Sequence, residues 1–229
     1  MKISLTVKGL SSQAGLSLVE LMVSVAIALV LMIALMQLLL GTMQTERVTS
    51  DVSRMQENGR NALELIARAV RQAGARSNAD VAFSGTPVTG VDGAGTAADS
   101  MTVQYEAQDG GETDCTGAVV AAGSLMTYAF AVNTTVDPPT LTCNGMTMVD
   151  NIENLQITYG IDADKNGAIE SYVDAPTATQ FAQAAALRVA LTVRGPSANI
   201  AVPASAASAA DSFLRQVFNA TFTVRNQAG

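Results

Sequence analysis

The chain has 229 residues, enough for one domain with a sizeable core plus an appendage, and 13 basic against 20 acidic residues leave a net charge of −7. It holds no His, no Trp and only two Cys, which excludes Ser-His-Asp and Cys-His catalytic pairs, imidazole metal sites, thiolate zinc sites and iron–sulfur clusters. The acidic balance also argues against direct nucleic-acid binding, because phosphates want a basic surface.

The charge is unevenly placed along the chain. Residues 1–15 carry only Lys2 and Lys8, residues 16–77 balance at +1, and residues 78–229 balance at −10. A weakly basic start, an apolar block and an acidic remainder suit a chain threaded outward through a membrane with its positive end left in the cytoplasm. The apolar block runs from Leu21 to Leu40 without a charge, with Ser24 and Gln37 as its polar interruptions. At about 1.5 Å per residue it matches the roughly 30 Å hydrocarbon core of a bilayer. It runs on into Gly41-Thr42-Met43-Gln44 without a small-residue cleavage signal, so it reads as a retained anchor and not as a secretory signal peptide.

Glu20 stands at the edge of this block, within Gly15-Leu16-Ser17-Leu18-Val19-Glu20-Leu21. A carboxylate inside a membrane helix costs about 2.5–3.5 kcal/mol near the centre, so its presence calls for a partner or a helix-start role. The stretch Lys8-Gly9-Leu10-Ser11-Ser12-Gln13-Ala14-Gly15 followed by Leu16-Ser17-Leu18-Val19-Glu20-Leu21 resembles the processing motif of the type IV pilins and other class III prepilins. The resemblance implies cleavage after Gly15 by a prepilin peptidase, N-methylation of Leu16, and an assembly role for Glu20. Leu16 departs from the Phe usual in that family. In a filament of such subunits the Glu20 carboxylate would meet the positive N-terminal amine of a neighbour, and the two groups would offset each other's cost in an apolar bundle.

Beyond the anchor, Val48, Val52, Met55, Ala62, Ile66 and Ala69 recur at helical spacing among charged residues. Pro is absent from residue 16 to residue 86 and Gly74 is a plausible stop, so the spacing predicts one helix from Leu16 to Ala73, about 87 Å long. The expected organisation is a leader over 1–15 and an N-terminal helix over 16–76, with a membrane stem at about 16–41 and an amphipathic half at about 42–74. A globular domain over 77–229 follows. Many pilins carry a Pro at the position of Gln37; its absence here removes a weak point from the stem.

After Asn78 a loop rich in Gly, Ala, Thr and Asp runs to Asp99. Period-two alternation then predicts strands at Leu155–Ile161, Leu187–Val193 and Phe218–Val224, with weaker ones at Met101–Ala107 and Ser124–Val132. A short helix is expected at Thr177–Ala184 and a long loop at Gly195–Ala210. These elements predict an α+β fold in which an antiparallel sheet packs its apolar face on the helix at residues 48–73.

Two further stretches, Gln56 to Ile66 and Ile152-Glu153-Asn154-Leu155-Gln156-Ile157-Thr158-Tyr159-Gly160-Ile161-Asp162, together with Phe218 to Asn226, resemble the PilW-like minor pilins. The resemblance implies a structural subunit that starts or caps a type IV pilus at its tip. Its partners would be other minor pilins, the major pilin, the prepilin peptidase, an inner-membrane assembly platform and membrane lipid before assembly. The domain would face the periplasm and later the cell surface. A minor pseudopilin of a type II secretion system is the alternative within the same architecture, and a tethered binding module or enzyme the alternative outside it. Against an enzyme stands the lack of a nucleophile–base pair.

With the domain outside the cytoplasm, Cys115 and Cys143 are expected to form a disulfide. The loop Asp162-Ala163-Asp164-Lys165-Asn166-Gly167-Ala168-Ile169-Glu170 places oxygen side chains at relative positions one, three and five and Gly at six, like the first half of an EF-hand loop. That pattern predicts a calcium site from Asp162, Asp164 and Asn166, the Ala168 carbonyl and Glu170. Val173 replaces the bidentate Glu of position twelve, with Asp174 as a candidate substitute. The alternative is a polar hairpin turn.

Overall fold

The computed structural model describes residues 17–198 and 212–226. Helix α1 (Leu18–Gln72) is followed by β1 (Val88–Val91), β2 (Ser100–Glu106), β3 (Glu112–Thr113), β4 (Val119–Val120), β5 (Leu125–Asn133), β6 (Thr140–Cys143) and β7 (Met146–Asp150). Then come β8 (Ile152–Ile161), β9 (Ser171–Val173), the one-turn helix α2 (Ala178–Phe181), β10 (Ala184–Arg194) and β11 (Arg215–Thr223). The chain divides into two compact units, the first ending at Arg47 and the second starting at Val48.

In the first unit every residue from Ser17 to Arg47 is exposed, although this stretch has a mean hydropathy of 2.8 over its most apolar window. Its hydroxyl groups bond to the helix's own backbone: Ser24 Oγ donates to the Glu20 carbonyl at 2.7 Å, Thr42 Oγ1 to Leu39 at 2.8 Å and Thr45 Oγ1 to Gly41 at 3.0 Å. Such back-bonding leaves few polar groups seeking water, as an apolar surrounding requires.

In the second unit the helix buries Met55, Gly59, Ala62, Ile66, Ala69 and Val70 in the core, while Val48 and Val52 are only half-buried. The helix ends where Gly74 adopts a φ of +71°, a left-handed conformation that Gly takes without a Cβ penalty. Asn226 Nδ2 donates to the Ala73 carbonyl at 2.9 Å and so satisfies one of the last helical acceptors.

The expected single sheet is in fact two, both antiparallel. One has the order β1-β2-β5-β6-β7 and the other β11-β10-β8-β9, with β3 and β4 forming a separate hairpin. The chain crosses between the two sheets at Asn151, whose φ of 63° turns β7 into β8. Leu187 faces Tyr159 on one side and Phe222 on the other, and Leu191 faces Leu155 and Phe218, so apolar rows line up across β8, β10 and β11. These rows join Val103, Phe130 and Leu141 of the other sheet and the helix in one core. Each fully buried Leu or Ile there contributes about 1.5–3 kcal/mol.

The loop expected to run to Asp99 contains β1, and its remainder seals the edge of β8. Asp99 accepts from Gly93 N at 2.8 Å and from Ile157 N at 2.6 Å, and its own N–H donates to Leu155 O. Gln156 Nε2 donates to Ala97 O at 2.7 Å. Burial raises the Asp99 pKa above the ordinary carboxylate value, against the pull of these two N–H donors. The helix expected over Thr177–Ala184 is shorter, because Ala184 already pairs with Ile161. Thr177 and Gln180 form a capping box at its start, and Phe181 packs edge-on against Tyr159 at 5.1 Å. The loop expected at Gly195–Ala210 lies mostly outside the described residues.

Candidate functional site

The processing residues Gly15 and Leu16 lie outside the described residues. Glu20 sits in the first turn of α1, where the positive end of the helix dipole favours an acid, and it is exposed like the rest of the stem. It is the only acid between Leu18 and Gln44, a stretch without any other charge. The arrangement is an apolar surface that must be covered by lipid or by other helices, with one carboxylate at its start.

Cys115 and Cys143 are joined by a disulfide with a Cα–Cα separation of 5.8 Å. Cys143 ends β6 and Cys115 lies between β3 and β4, so the bond ties the small hairpin to the five-stranded sheet. Glu112 strengthens the same tie: it accepts from the N–H groups of Gln108 and Asp109, at 2.6 and 3.1 Å, and from Tyr105 Oη. The two backbone donors hold its carboxyl below the usual range. Closing a loop of this size contributes about 3–4 kcal/mol in the chain-entropy picture.

The Asp-rich loop connects β8 to β9. Asp162 is 2% exposed and accepts from Asn166 N at 3.1 Å and Gly167 N at 2.9 Å. Asp164 accepts from Asn166 Nδ2 at 2.9 Å, Asn166 Oδ1 from Ala168 N at 2.7 Å, and Glu170 from Ala163 N at 2.8 Å. One carboxylate oxygen from each of Asp162, Asp164 and Glu170 lies within 4.8 Å of the others. Lys165 and Gly167 take φ values of 57° and 87°, which make the sharp bend. The three acids form a hard-oxygen cluster of the kind calcium takes, while Asn166 turns its amide nitrogen toward Asp164. Asp174 does not join them: it accepts from Thr158 Oγ1 at 2.9 Å, and Val173 belongs to β9.

Sequence reasoning missed two helix positions. Gly59 is buried because Phe218 of β11 sits on it; a Cβ there would lie 2.6 Å from the ring. Asp51 is also buried and accepts from Ser197 Oγ at 3.3 Å. An isolated Gly in a strongly periodic helix is the signal that could have shown the first.

The chain thus combines a long helix whose first part is an exposed apolar stem with antiparallel sheets packed on the second part of that helix. The chain matches the family model of Type IV Pilus-assembly protein W over residues 129–226 and the prokaryotic N-terminal methylation motif over residues 10–36. Each match covers less than half of the chain, and together they mark a similarity to the class III prepilin-like minor pilins. The methylation motif and the long apolar helix fit a membrane-anchored chain. A type IV-like pilin from Thermus thermophilus is similar in structure at a TM-score of 0.45, with 13% identity over 80% of this chain and 99% of that one. No curated protein matches the chain in sequence.

Proposed function

We propose that the chain is a structural minor pilin, cut after Gly15 and methylated on Leu16, that primes or caps a type IV pilus at its tip. Before assembly the stem at about 16–41 spans the inner membrane, and the domain over 77–229 faces the periplasm. Other minor pilins, the major pilin and the assembly platform are its partners, and it catalyses no reaction. The observation that carries this reading is the fully exposed apolar stem with Glu20 in its first turn. In an assembled bundle Glu20 pairs with a neighbour's N-terminal amine, and removing one member of such a pair costs about 3–5 kcal/mol. The match over residues 129–226 favours a pilus over a secretion pseudopilus.

Glu20→Ala tests the reading in cells that make the filament. Membrane insertion should persist, because a costly group leaves the stem, while incorporation into filaments falls by about tenfold or more. Undiminished incorporation would reduce Glu20 to a helix-start residue. We propose in addition that Asp162, Asp164, Asn166 and Glu170 hold a calcium ion, with the Ala168 carbonyl completing the set, which stiffens the β8–β9 turn.

A further inference from the structure

Between β1 and β2 the chain forms a strap, residues 92–99, that lies along one side of β8. Strand β8 pairs with β10 along nearly its whole length on one side, but with β9 only at Tyr159–Ile161 on the other. Without the strap, the backbone of Leu155 and Ile157 would be an open sheet edge.

Most of what holds the strap is exposed. Asn154 Nδ2 and Gln156 Nε2 of β8 donate to the Thr96 and Ala97 carbonyls at 3.1 and 2.7 Å, both in contact with solvent. The buried tie is Asp99, which is 4% exposed. Its N–H donates to the Leu155 carbonyl, and its Oδ2 accepts from Ile157 N at 2.6 Å, where a neighbouring strand's carbonyl would stand. Its Oδ1 accepts from Gly93 N at 2.8 Å. One carboxylate thus completes the β8 edge and closes the strap on itself.

The charges around that carboxylate are of one sign. The exposed Asp92 carboxyl stands within hydrogen-bond reach of it, and among the described residues no Lys or Arg offsets the pair. Tyr159 of β8 lies near with a hydroxyl kept neutral by burial and by Asp99 itself. Strand β1 and residues 93–98 carry no titratable side chain. The titratable groups of β2, Tyr105 and Glu106, bond to Glu112 and Ser77, and Glu153 of β8 is taken by Arg215. Burial first, and then Asp92, favour the protonated form of Asp99 against the pull of its two N–H donors.

We propose that Asp99 and Asp92 form a proton-operated latch: one proton shared between the two carboxyls keeps the strap shut on β8, and its loss to solvent sets two like charges against each other and opens the strap. Opening bares the Leu155 carbonyl and the Ile157 N–H. The shut strap holds the proton more tightly than the open one, in which Asp99 returns toward its ordinary value of 3.8. The strap is therefore firmest in acid and loosens as pH rises through the higher value of the shut state.

Hydrogen exchange of the full chain in detergent micelles, corrected for the intrinsic pH dependence of amide exchange, tests the latch. Between about pH 4 and about pH 8 the protection of the Gly93, Asp99 and Ile157 amides should fall together, by at most about tenfold per pH unit because one proton is released. The β8 amides that pair with β10 should stay protected throughout. Asp99→Asn should remove the pH dependence at Gly93 and Ile157. Asp92→Asn, at an exposed position, should leave the fold intact and make the fall smaller. Protection that is flat or rises with pH in the unaltered chain, or a fall that persists undiminished in either variant, would overturn the proposal.

Discussion

Replacing Gly59 with Ala should destabilise the second unit, against the usual rule for helices. In an open helix interior the change gains about 0.8–1 kcal/mol, because Gly has more backbone freedom to lose. Here the new methyl would stand 2.6, 2.7 and 2.9 Å from Cδ2, Cε2 and Cγ of Phe218. Carbon atoms settle at about 3.5–4.0 Å, so the ring or its strand must withdraw by close to 1 Å. Such overpacking costs about 1–3 kcal/mol. The net loss is therefore about 0–2 kcal/mol, and each kcal/mol lowers the melting temperature of a unit this size by about 2–4 °C. Thermal unfolding of the full chain in detergent, followed by circular dichroism, measures it. In a Phe218→Ala background the notch is empty, and the same Gly59→Ala change should raise the melting temperature by about 2–4 °C. A rise in the unaltered background, or the same shift in both, would refute the reasoning.

Calcium at about a hundred times its dissociation constant should stabilise the chain by about 2.7 kcal/mol, a rise of about 5–10 °C in melting temperature. Asp164→Ala should abolish the rise, and a melting curve indifferent to both calcium and chelator contradicts the site. A second prediction concerns acid. Ser77 donates to Glu106 from its N–H at 3.0 Å and from its hydroxyl at 2.9 Å, and these bonds hold the carboxyl below its ordinary value of 4.5. The unfolded chain then binds more protons at that position, so the stability Glu106 contributes is present above about pH 4.5 and is lost as pH falls through the lower folded value. Glu106→Gln should flatten the fall in melting temperature below pH 4.5; an unchanged slope would show that these bonds do not matter.

The elements legible in the sequence are those with a strong period. Leu155–Ile161, Leu187–Val193 and Phe218–Val224 alternate because one face is buried in the core and the other is wet, and they lie within β8, β10 and in large part β11. The division into two sheets was not legible, since alternation shows that a face is buried and not which sheet shares it. Strand β1 was hidden because Val88-Thr89-Gly90-Val91 is short and includes Gly90, where a Cβ would lie 2.0 Å from the Tyr159 hydroxyl. The hairpin joining β6 to β7 did carry a local signal: Asn144-Gly145, with φ of 51° and 82°, is the favoured pair for a two-residue turn. Of the site, the Asp162–Glu170 loop was readable because calcium-type spacing is local. The seat of Phe218 on Gly59 was not, because it joins two residues far apart in the chain.

Intact-mass analysis of the chain in sheared filaments tests the central claim most directly. A processed filament subunit should appear without residues 1–15 and with one methyl group on Leu16. Recovery of the full-length chain from filaments, or its absence from them while it accumulates in the membrane, would contradict the account.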